Sequence, residues 1–125
     1  VGAAASAKLL AVGAAWRLTG VSAAGDALVA AVTTGGETER TLAGMLLVKA
    51  GDRSVPVVTD AIMAGPEPAD LVDVLVSIGT DDARAALLRV SQAPPPAVRP
   101  ATRHAAAEAL RTLDEIRRQD GRGRH

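Results

Sequence analysis

Lys49-Ala50-Gly51-Asp52-Arg53-Ser54-Val55-Pro56-Val57-Val58-Thr59-Asp60-Ala61-Ile62 joins two apolar segments through one turn, and its reading decides the fold. Upstream of Gly51, Leu42, Ala43, Leu46, Leu47 and Ala50 recur at steps of three and four, the spacing of one helix face. Downstream, Val55, Val57, Val58, Ala61 and Ile62 form a short apolar piece that β propensity alone would make a strand. Pro56 falls in what would be the first turn of a helix, where a missing N–H costs little. Recurrence decides for helix. Gly20 and Gly79 stand in the same setting, and the intervals from Gly20 to Gly51 and from Gly51 to Gly79 are 31 and 28 residues. Periods of this size belong to stacked helical hairpins, in which each pair covers the apolar stripe of its neighbour.

Working outward from that stretch, the spacing predicts a first helix over about 3–18, apolar on nearly all sides, closed by Gly20. A second follows over 22–34 with Ser22 as cap, and a third after Thr38 as cap. The fourth, 54–64, is capped by Asp52 or Ser54. Gly65-Pro66-Glu67-Pro68 reads as a loop. A fifth helix spans 69–78, and a sixth spans 80–92 with Thr80 or Asp81 as cap. Pro94-Pro95-Pro96 stops it, and a seventh begins near Val98 or Pro100, carrying Ala105, Ala106, Ala109, Leu110, Leu113 and Ile116 inward. The expected architecture is all-α: about three and a half stacked helical hairpins, roughly seven helices, over residues 1–119. Residues 120–125 are expected as a disordered polar tail.

Composition sets the limits on chemistry. Hydrophobic residues make up 48% of the 125, yet Phe and Tyr are absent and Trp16 is the one aromatic, so Ala, Val and Leu must build the core. No cysteine is present, which removes disulfides, thiolate metal sites and a cysteine nucleophile and suits a cytoplasmic protein. Net charge is zero, which argues against a general polyanion binder and against nucleic acid as partner. Lys8 and Arg17 interrupt the N-terminal apolar run, so no membrane span is expected. Residues 52–98 carry seven acids against three bases, and residues 99–125 carry seven arginines against four acids.

The stretch Gly51 to Ile62 resembles the turn and second helix of a short bacterial HEAT repeat: Gly-Asp, an Ala-Val-Pro step, then a small apolar helix. Here it is one residue shorter. Gly79-Thr80-Asp81-Asp82-Ala83-Arg84-Ala85-Ala86-Leu87-Leu88 fits without a gap, with Arg84 and Ala85 where Val and Pro are common. Thr102-Arg103-His104-Ala105-Ala106-Ala107-Glu108-Ala109-Leu110 echoes the first-helix signature, with Thr102 in place of Val. On these residues the chain, from about Lys8 to Leu113, is similar to the bacterial HEAT-like, phycobilisome-lyase-type repeat family. The resemblance implies an α-solenoid acting as a protein–protein interaction scaffold, with the second helix of each pair lining the binding surface. Asp26, Asp60, Arg84 and Arg89 are its exposed candidates for contact with another protein. Some relatives with such repeats are bilin lyases or assist other modifying enzymes, so the alternative is an auxiliary or catalytic subunit of that kind.

The residues themselves offer no catalytic set, no cofactor motif and no metal ligand set. His104 and Glu108 lie one helical turn apart, but the further ligands that a metal needs are missing. Asp70, Asp73, Asp81 and Asp82 form either an acidic patch or simply carboxylates at helix starts, where they favour the helix dipole. Trp16 is either core or a partner anchor. The last helix has a wet outer face, as a solenoid cap needs, whereas the first has none. Leu9, Leu10, Val12 and Trp16 are therefore expected to meet further repeats or a second copy of the chain.

Overall fold

The computed structural model describes residues 2–64, 69–94 and 97–123, and among them the regular structure is helical throughout. The elements are α1 (Gly2–Thr19), α2 (Ser22–Thr34), α3 (Glu37–Ala50), a short 3₁₀ turn (Gly51–Ser54), α4 (Val55–Ala64), α5 (Ala69–Ile78), α6 (Asp81–Gln92) and α7 (Pro100–Gly123). The valine-rich piece after Gly51 is a helix. Thr59 Oγ1 donates to Val55 O there, and Val55, Val58 and Ile62 are buried at steps of three and four. The predicted loop Gly65–Pro68 lies outside the described residues. The terminal helix runs to Gly123, into the stretch read from sequence as a polar tail.

The helices lie in two rows in chain order. In one row α1 packs on α3, α3 on α5, and α5 on α7; in the other α2 packs on α4, and α4 on α6. Between the rows, α2 bridges α1 and α3, and α6 packs closely on α7. The core fills this space with small and branched side chains: Leu28, Val32, Ala43, Leu47, Val58, Ile62, Leu75, Ala83, Ala86, Leu87, Val90 and Leu113 are fully or almost fully enclosed. Each Leu or Val removed from water in this way contributes about 1.5–3 kcal/mol.

Gly20, Gly51 and Gly79 are the residues with positive φ among those described, at 68°, 66° and 67°. Each follows a helix of the first row and turns the chain into the second row. A side chain is strained in that conformation, which is why glycine recurs there. The three turns also touch. The Arg53 guanidinium lies against Gly20, Thr80 Oγ1 donates to Asp52 Oδ1, and Arg117 of α7 donates to Gly79 O at 2.9 Å and pairs with Asp81 at 3.0 Å. Contacts thus run along one edge from the first turn to the last helix.

Several cap assignments change. Val21 and Gly36 precede α2 and α3 and no side chain caps either helix, so Ser22 and Thr38 begin or sit inside their helices. Ser54 is not a cap. It is buried, donates to Leu47 O at 2.7 Å and accepts from Trp16 Nε1 at 2.9 Å. Thr80 does cap α6, accepting from the Ala83 N–H at 3.2 Å.

Candidate binding groove

The apolar first helix was expected to offer Leu9, Leu10, Val12 and Trp16 to further repeats or a second copy of the chain, and the structure corrects this for Leu9 and Trp16, which are buried. Leu9, Gly13 and Trp16 fall at steps of four and three and form the buried face of α1, and Val12 packs beside them; Leu10 points out. Two glycines admit the neighbours. A Cβ on Gly13 would lie 2.8 Å from Leu46 Cδ2, and one on Gly25 would lie 2.8 Å from the indole ring of Trp16. Trp16 is core, with its single polar atom satisfied by Ser54.

On the other side of α3 the packing is open. A groove with a volume of about 600 Å³ runs between α3 and α5. Its α3 bank is the stripe Glu37, Arg40, Thr41, Gly44, Met45, Val48 and Lys49, and its α5 bank is Asp70, Asp73, Val74 and Ser77; Val32 of α2 closes the floor. Both banks follow helical spacing, so each helix turns one face inward to the core and a second to this groove. Gly44 keeps it open: a Cβ there would only reach ordinary contact with Val74 Cγ2, at 3.8 Å. Met45 is 63% exposed beside it. A volume of this order is typical of sites that take a small ligand or anchor side chain.

Charge is sorted by bank. Arg40 and Lys49 stand on α3 with Glu37, and Asp70 and Asp73 stand alone on α5. None of the five enters an ion pair among the described residues, where the ion pairs are all drawn from α6 and α7. Burial, and then the neighbouring Asp70 carboxylate, push the Asp73 carboxyl above its ordinary range. The groove thus carries both signs of charge, with no ion pair across it among the described residues.

The four residues expected from sequence to meet a partner are not gathered by the fold into this groove. Asp26, Asp60 and Arg89 are exposed on α2, α4 and α6. Arg84 is half-buried and already engaged: its Nε and Nη2 donate to the two carboxylate oxygens of Asp114 on α7, at 2.9 and 3.2 Å. That forked contact draws Asp114 below the usual carboxylate range. The acidic patch read from sequence is divided, because Asp81 pairs with Arg117 whereas Asp70 and Asp73 face the groove. His104 and Glu108 are exposed and 3.8 Å apart, and no group of three or more metal-ligating side chains gathers among the described residues. The signal for the groove that sequence reasoning passed over is Gly44, a helix-interior glycine beside an exposed methionine.

Compared with models of protein families, with curated proteins and with solved structures, the chain finds no match in any of the three. Among the described residues no helix is long and apolar enough to cross a membrane. Among the described residues the molecule is all-helical, with an open groove set between two helices of the same row.

Proposed function

We propose that the chain is an α-solenoid of HEAT-like repeats working as a protein-binding scaffold, in the cytoplasm, and that a partner protein docks between α3 and α5. The repeat reading is supported by the two rows of helices in chain order and by the positive φ shared by Gly20, Gly51 and Gly79. The binding reading is carried by one observation: an apolar-floored groove of about 600 Å³ whose five charged neighbours make no ion pair among the described residues. Helix-lined grooves of this kind take an amphipathic segment whose apolar side chains enter the floor. This site differs from the surface of second helices that the resemblance favours, and it places Met45 rather than Asp26 or Asp60 at the centre of contact.

Selection of peptides from a random display library on the full chain tests the proposal. Substituting Gly44→Leu fills the groove without changing charge and suits a helix interior. Recovered peptides are expected to bind the natural chain and to lose binding to Gly44→Leu. Recovery only of peptides indifferent to that substitution overturns the assignment of the groove.

A further inference from the structure

Resting on the reading of the groove as a protein-docking site, we infer that its occupant is a segment of another protein in which one or two Lys or Arg side chains flank a large apolar one. The apolar side chain lies over Met45 and Val74, and the cation reaches Asp70 and Asp73.

The α5 bank carries the argument. Asp70 and Asp73 are three residues apart, hence neighbours on one helix face, and both line the groove. Two like charges at that spacing disfavour each other, and no base among the described residues pairs with either. Arg40 and Lys49 line the same groove from α3, together with Glu37, and neither base bridges to them. A cation arriving between the banks would relieve the repulsion on the α5 side. Those same two bases set the limit on how basic the occupant is. A polybasic strand would meet them with like charge, whereas a segment with its cations on one side and an acid on the other matches both banks. Because the whole chain has no net charge, this preference is local to the groove and brings little long-range attraction.

Three labelled twelve-residue peptides sharing one leucine frame, with Lys, Gln or Glu at the remaining positions of one face, separate the outcomes by fluorescence anisotropy on the full chain. The Lys peptide is expected to bind best, to weaken with added salt, and to lose affinity to Gly44→Leu. The double variant Asp70→Asn, Asp73→Asn is expected to weaken it about five- to tenfold, the size two exposed ion pairs supply. The variant's thermal unfolding, which should not fall, guards against misfolding. Equal or tighter binding of the Gln or Glu peptide, still sensitive to Gly44→Leu, overturns the basic occupant and leaves the docking site standing. Self-association in sedimentation that Gly44→Leu abolishes makes the occupant a second copy and also overturns the inference. Absence of any peptide binding sensitive to Gly44→Leu, in a chain that stays monomeric, removes both readings together.

Discussion

The third helix has two neighbours in its own row, and it treats them differently. Towards α1 it sends Leu46 into the space left by Gly13, and the seam is closed further by Trp16, whose ring fills the space left by Gly25 and whose N–H ends on Ser54. Towards α5 it presents Gly44, and the space is left as a groove. In all three places a small residue makes room. What differs is how closely the neighbour stands: an added Cβ would lie 2.8 Å from Leu46 or Trp16, inside contact distance, but 3.8 Å from Val74, at ordinary contact. A helix-interior glycine costs about 0.5–1 kcal/mol relative to Ala. That cost is offset by packing at Gly13 and Gly25, and Gly44 has no such return within the chain.

The comparison can be broken at its strongest point first. Trp16→Ala should destabilise the chain by about 3–5 kcal/mol in denaturant unfolding followed by circular dichroism, because it empties the closed seam. A loss below about 1 kcal/mol would mean that the seam is not what holds α1 in place. Ser54→Ala is next. It leaves the indole N–H and the Leu47 carbonyl without the hydroxyl between them, and a loss of about 1–3 kcal/mol is expected. Trp16 is the single aromatic residue, so its fluorescence reports directly on that environment.

A matched pair of alanines sharpens the contrast. Gly25→Ala should destabilise by about 1–2 kcal/mol, since overpacking against the indole outweighs the gain in helix propensity. Gly44→Ala should stabilise by about 0.5–1 kcal/mol, because its new methyl meets only ordinary contact, and it should weaken ligand binding at the same time. Two alanines of the same sign would erase the distinction between seam and groove.

The smallest effects are electrostatic and have opposite signs. Asp114 is held below its ordinary value of 3.8 by the Arg84 hydrogen bond, so its contribution to stability is fully present above that value and is lost as pH falls through the lower folded value. Asp73 is raised above 3.8 by burial and by Asp70, so its charged form opposes folding at neutral pH, and the penalty is relieved as pH falls through its folded value. Thermal unfolding midpoints from pH 7 to pH 2 should therefore show Asp114→Asn below the natural chain at neutral pH and Asp73→Asn level with it or above. Both differences should close in acid.

Periodicity located the helices because each buried stripe repeats at the helical step; in α6, Ala83, Ala86, Leu87 and Val90 are both the residues expected inside and the residues enclosed. The turn glycines were legible for a similar reason, since a positive φ leaves few alternatives to glycine and it recurs at all three positions. The role of the first helix was not legible. Apart from Ser6, Lys8 and Arg17, the residues around Trp16 in projection are almost all Ala, Leu, Val and Gly, so composition could not tell which flank is covered, and the covered flank proved to be Leu9, Gly13 and Trp16. Arg84 was read as an exposed candidate for partner contact because a charged residue on an amphipathic helix faces outward, but α7 brings Asp114 to meet it.

Helical character and the places where the chain turns follow from local chemistry: side chains recurring every three or four residues, and a backbone conformation that only glycine adopts without strain. Those are properties of a residue and its near neighbours along the chain, so the order of residues carries them. The groove is a different kind of quantity. It lies between two helices that are distant along the chain, and Gly44 of one and Val74 of the other both line it. Whether its charged side chains pair depends on the distance between the two banks, and packing in three dimensions sets that distance.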